Sequence, residues 1–111
     1  MQLTKDTNLT NAQWQQRKDQ AFARGEANLA PIYVTKGKNA HLWDVEGNKY
    51  IDFAAGIAVT NTGHCHPKVV AALKHQVEQF SHTCVMVTPY DSAVLLAEQL
   101  NELAPGNSPK K

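Results

Sequence analysis

Cysteine is scarce in this chain: only Cys65 and Cys84 occur in 111 residues, too few to staple a disulfide framework. Both are expected to be reduced thiols. No apolar run approaches the ~20 residues needed to cross a bilayer. The opening stretch from Met1 to Asp6 lacks an apolar segment behind a basic one, so no secretion leader is expected and a cytoplasmic location is the default. An excess of charge is missing too, since eleven Lys and Arg against ten Asp and Glu leave a formal +1. That balance gives no reason to expect nucleic acid, a membrane surface or a polyanion as partner. The six glycines are scattered among turns and form neither a GxGxxG fingerprint nor a P-loop, so two common phosphate cradles are excluded. Internal repeats and low-complexity tracts are absent.

What is present suits one small domain with a modest core, since domains usually run ~100–150 residues. The first ten residues are polar and expected to fray, after which a helix reads from Asn11 to about Arg24. Thr10 and Gln13 have capping-box spacing, in which the hydroxyl accepts from a first-turn amide and the Gln side chain answers back. Gly25 is its expected stop. Trp14, Ala21 and Phe22 make a sparse apolar face that suits docking against something outside this sequence.

From Pro31 the period changes. Ile32 to Thr35 reads as a strand, Lys36-Gly37-Lys38 as a turn, Ala40 to Trp43 as a second strand, Val45 to Asn48 as another turn, and Lys49 to Phe53 as a third strand. The apolar, small and glycine-containing stretch Ala54 to Thr62 is expected to be a connector passing close to a pocket or a neighbouring subunit. Pro67 is an allowed first helical residue, and Val69, Val70, Leu73, Val77 and Phe80 recur at helical spacing as one buried stripe. A last helix is expected from Thr88-Pro89-Tyr90-Asp91, with Thr88 as cap, Pro89 in the first turn and Asp91 complementing the dipole. Ala93, Leu96, Ala97, Leu100 and Leu103 form its apolar face, and Pro105 to Lys111 is a breaker-rich loop. The expected fold class is an α+β fragment: an N-terminal helix, a three-stranded antiparallel meander and two further helices.

Reactive side chains are densest at Gly63-His64-Cys65-His66-Pro67 and at His82-Thr83-Cys84. Zinc favours paired ligands two to four residues apart, whereas three consecutive ligands point in different directions, so no metal is expected. Cys65, just ahead of a helix, stands where a thiolate could be stabilised. No oxyanion hole accompanies it, and a buried thiol is the commoner use. Asp44, Glu46 and Asp52 stand beside turns and strand ends, where carboxylates usually accept from neighbouring amides instead of acting as acid and base.

The stretch Leu42-Trp43-Asp44-Val45-Glu46-Gly47-Asn48-Lys49-Tyr50-Ile51-Asp52-Phe53, continued by Ala54-Ala55-Gly56-Ile57-Ala58-Val59, resembles the start of class III (ω-type) aminotransferases. Gly63-His64-Cys65-His66-Pro67 continues the likeness as that family's Gly-His-x-His-Pro pattern, and together it spans about residues 28–106. Thr60 to His64 and Ser81 to Cys84 are most similar to the 4-aminobutyrate branch; acetylornithine and ornithine aminotransferases share the histidine motif and are the alternative.

The resemblance implies a fold-type I architecture built around pyridoxal 5'-phosphate, with small amino acids and 2-oxo acids as substrates and a homodimer or higher homo-oligomer as the assembly. Residues 11–66 correspond to the amino-terminal part of the small domain, and 67–111 to a helical approach to the large cofactor-binding domain. In such enzymes the phosphate loop, the carboxylate on the pyridine nitrogen and the Schiff-base lysine all lie beyond the position of Lys111. This stretch is therefore expected to be inactive by itself and to hold no cofactor; Lys110 and Lys111 are not candidates for the lysine. Ile57 matches an apolar substrate-pocket residue, and Met86 stands near the substrate where relatives often carry glutamine. A non-catalytic small protein that associates with full-length aminotransferase subunits is the competing reading.

Overall fold

The computed structural model describes residues 8–110. Two compact units divide between Ala71 and Ala72.

The first unit opens with α1, Asn11–Ala21, capped as the Thr10/Gln13 spacing predicts: Gln13 N donates to Thr10 Oγ1 at 3.3 Å, and Thr10 N donates to Gln13 Oε1 at 2.9 Å. The helix ends earlier than expected. Phe22 is already extended (φ −93°, ψ 153°), and the chain reverses over the next residues, with Lys18 Nζ donating to the Glu26 carbonyl. Gly25 thus lies in a turn beyond the helix and does not terminate it.

Three strands follow, β1 (Val34–Lys38), β2 (His41–Asp44) and β3 (Lys49–Ile51), antiparallel in the order β1-β2-β3. The meander is as expected, but its first turn is displaced. Lys36-Gly37-Lys38 is strand, paired with Trp43, Leu42 and His41, and the chain turns at Asn39, whose φ is 52°. Asparagine tolerates that left-handed region better than most residues. Gly37 serves a different purpose: a Cβ there would lie 2.9 Å from Cβ and Cγ of His64, which crosses above it.

No hydrophobic side chain among the described residues is fully buried; Asp44, 2% exposed, is. Its Oδ1 accepts from the Glu46 and Asn48 amides (3.0 and 2.8 Å), and its Oδ2 from Asn11 Nδ2, Asn48 Nδ2 and Tyr50 OH (2.9, 3.0 and 2.9 Å). Asn11 reaches it from the first turn of α1 while accepting from the Tyr33 amide at 2.7 Å. The helix is thereby pinned to the sheet through polar groups. Trp14 stacks on Tyr33 at 6.2 Å between centroids, and a cavity of about 570 Å³ opens beside them, lined also by Phe22 and Ile32.

α3, Pro67–Val77, crosses the division between the units, and α4, Asp91–Leu103, belongs to the second. The stripe expected to be buried on α3 is open: Leu73 is 64% and Val77 65% exposed. α4 starts later than expected, with Tyr90 as an extended N-cap lacking a side-chain bond. Thr88 is drawn away because its carbonyl accepts from Thr83 Oγ1 and its amide donates to the Cys84 carbonyl, and Pro89 stays outside the helix. Phe80 and Tyr90 meet edge to face at 5.6 Å. No helix among the described residues is long and apolar enough to cross a membrane.

Candidate functional site

The connector after β3 is neither buried nor irregular. Ala55, Gly56, Ile57 and Ala58 all have positive φ (47°, 65°, 60° and 61°), and they form a short left-handed turn, α2 (Ala55–Ala58). Each residue other than glycine is disfavoured there by roughly 1–2 kcal/mol, most of all a β-branched one such as Ile57. Such backbone persists only where its surroundings over-determine it, and it clusters at functional sites.

Those surroundings are specific. At the start of the turn, Asp52 Oδ1 accepts from the amides of Ala54 (3.1 Å) and Ala55 (2.9 Å). At its end the Ala55 carbonyl accepts from the Val59 amide (2.8 Å), the Thr60 amide (3.0 Å) and Thr60 Oγ1 (3.3 Å). Asp52 Oδ2 lies 2.6 Å from His64 Nε2. His64 in turn exchanges two backbone hydrogen bonds with Asn39 (2.9 and 2.8 Å), next to Gly63, whose φ is 78° and where a Cβ would meet the Asn39 Cα at 2.9 Å. The Gly-His motif is therefore docked on the β1–β2 hairpin, and the excursion from residue 52 to residue 64 is closed at its base.

The electrostatics follow. The His64 hydrogen bond first, then the Ala55 amide, hold the Asp52 carboxyl below the usual carboxylate range, against a smaller opposing effect of burial. For Asp44, burial alone would raise the pKa, but side-chain donors on Asn48, Asn11 and Tyr50 and the Asn48 amide together drive it far below that range. Tyr50 is pushed up, chiefly because its hydroxyl proton is held by Asp44. As their positions beside turns suggested, Asp44 and Asp52 bind backbone amides. Glu46 differs, accepting from the Asn11 side chain at 2.6 Å.

Of the two residues expected to line a substrate pocket, Ile57 sits in the left-handed turn and is 94% exposed. Met86, 93% exposed, lies in the loop before α4 in the second unit. Cys65 and Cys84 are both exposed, so neither is the buried thiol that base rates favoured. Pattern reading missed the Asp52–His64 pair, because two residues joined only by a 12-residue excursion leave no periodic signal. The glycines at 37 and 63 were the available hint.

The described residues do not fit pyridoxal phosphate. Asp44 and Asp52 have their oxygens committed within the fold. No described lysine is buried, and Lys110 Nζ is engaged by the Ala104 and Gly106 carbonyls past the end of α4.

The family described as "Aminotransferase class-III" matches residues 21–110. The chain is 47% identical over 102 residues to 4-aminobutyrate aminotransferase of Escherichia coli K12, and 50% identical over 102 residues to 5-aminovalerate aminotransferase of Pseudomonas putida. Each match covers 92% of this chain and 24% of the relative, so the chain spans about a quarter of their length. Among solved structures, the fold resembles ornithine δ-aminotransferase of Plasmodium falciparum with a TM-score of 0.77 at 23% identity, over 86% of this chain and 24% of that one. It also resembles acetylornithine aminotransferase of Elizabethkingia anophelis with a TM-score of 0.68 at 31% identity, over 80% of this chain and 21% of that one.

Proposed function

The chain belongs to the class III aminotransferases, and on that premise we propose that it forms part of a transaminase acting on ω-amino acids such as 4-aminobutyrate. The observation that carries this reading is the match over 102 residues to aminotransferases named for 4-aminobutyrate and 5-aminovalerate, at 47% and 50% identity. The reaction moves an amino group from the terminal carbon of the donor to the keto carbon of a 2-oxo acid such as 2-oxoglutarate. A semialdehyde and a new amino acid leave. Pyridoxal phosphate is the cofactor this reading implies for the whole enzyme, and none of the described residues is assigned to holding it.

Within that enzyme, residues 11–66 belong to the small domain and 67–111 lead towards the large one, in a homodimer or higher homo-oligomer of cytoplasmic location. Ile57 supplies an apolar wall against the donor's methylene chain. Such a wall suits a linear ω-amino acid and offers no partner to the second ammonium group of ornithine. Met86 adds an adaptable thioether.

The test is donor preference in the aminotransferase that carries these residues. With 2-oxoglutarate as acceptor, 4-aminobutyrate and 5-aminovalerate are expected to give higher kcat/KM than ornithine or N-acetylornithine; the reverse order overturns the assignment. Ile57→Ala is expected to lower kcat/KM for 4-aminobutyrate about tenfold, the equivalent of roughly 1–2 kcal/mol of lost apolar contact.

A further inference from the structure

The left-handed turn is the longest run of positive-φ backbone among the described residues, and one carboxylate links its start to the docked His64. Asp52 directs Oδ1 at the amides of Ala54 and Ala55 and Oδ2 at His64 Nε2. The orientation of that carboxylate is fixed from the far side. His64 is held to Asn39 by two backbone bonds, and its side chain lies on Gly37, where no Cβ could be accommodated without displacing it. The Asp52 amide donates to the Ala40 carbonyl at 2.9 Å. The hairpin turn thus anchors the imidazole and the carboxylate independently, and the carboxylate passes that fixed geometry to the turn.

We propose that His64 is a positioning residue: through Asp52 it holds the left-handed turn Ala55–Ala58 and so sets where Ile57 stands. The consequence for substrate rests on the reading of Ile57 given above; the consequence for the backbone does not. An ionised carboxylate can only accept, so the bond requires the proton on Nε2 of His64. The imidazole acts on the turn without contacting it. Removing the imidazole leaves the carboxylate free to rotate, which weakens both amide bonds at the start of the turn together.

The experiment is NMR on the isotopically labelled chain with His64→Leu and His64→Gln. One-bond Cα–Hα couplings of Ala55, Ile57 and Ala58 distinguish positive from negative φ, and amide exchange at Ala54 and Ala55 reports the carboxylate bonds. His64→Leu is expected to average the couplings and to speed exchange at both amides about tenfold, the change that losing one net hydrogen bond produces. His64→Gln, whose side-chain amide can donate to Asp52, is expected to restore both. Unchanged couplings and exchange in His64→Leu, or a His64→Gln variant that behaves like His64→Leu, overturn the proposal. A measurement on the unaltered chain guards against a variant that fails to fold. The ¹⁵N shift of His64 Nε2 must be that of a protonated nitrogen at neutral pH, and a bare Nε2 overturns the proposal regardless of any variant. The parent enzyme separates this from the substrate reading: His64→Leu is expected to raise the donor KM more than it lowers kcat. Averaged couplings with an unchanged KM support the role of His64 and sink the assignment of Ile57.

Discussion

At the residue scale, Asp44 decides the most. A buried carboxylate is costly unless its oxygens are satisfied, and here five donors converge on it from α1, the following turn and β3. Its pKa lies far below that of an unfolded aspartate, so it binds protons more readily when the chain unfolds. The stability it contributes is therefore complete above the unfolded value of about 4 and is lost as pH falls below it towards the folded value. Asp52, shifted the same way, adds to the same slope. Thermal melts by circular dichroism are expected to show falling stability from about pH 4 downwards. Asp44→Asn should lower stability at pH 7 while flattening that acid slope, because the amide does not titrate and presents only one accepting oxygen. An acid slope as steep in the variant as in the parent would show that the buried carboxylate is not its source.

At the element scale, the strands show what a sequence reveals and what it hides. Strand-forming runs and turn residues announced a three-stranded meander, and the Thr10 and Gln13 pair announced the start of α1. Local chemistry settles those features, so local reading finds them. The misplaced hairpin turn has a different origin, since Gly37 reads as a turn glycine until His64 is placed above it. The left-handed turn was invisible for the same reason: alanine and isoleucine do not prefer positive φ, and only Asp52, Thr60 and the docked His64 make it tenable. Of the candidate site, the Gly63-His64 motif was legible by likeness, whereas the left-handed backbone at Ile57 and the Asp52–His64 pair were not. Gly37→Ala makes a direct test at this scale. The added methyl must displace His64, and overpacking of this kind usually costs about 1–3 kcal/mol. Chemical denaturation is expected to show a loss of that size. A neutral Gly37→Ala would mean that His64 does not rest on the strand.

At the scale of the whole molecule, the second unit exposes apolar side chains of α3 and α4. Leu73, Leu96, Leu100 and Leu103 are all more than half exposed. Exposed apolar surface, where it is contiguous, marks contact sites. That the one fully buried residue among those described is a carboxylate has a calorimetric consequence. Exposing apolar surface on unfolding raises the heat capacity, and exposing polar surface lowers it. A fold tied at a hydrogen-bonded aspartate, with no buried hydrophobic side chain among its described residues, should therefore unfold with less than the usual ~12–15 cal/mol/K per residue. Differential scanning calorimetry of the dilute monomer tests this, and a value in the ordinary range would show apolar burial that the fold does not contain. The small heat capacity in turn flattens the curve of stability against temperature. Cooling should then do little to weaken the chain, in contrast to domains held together by large apolar cores.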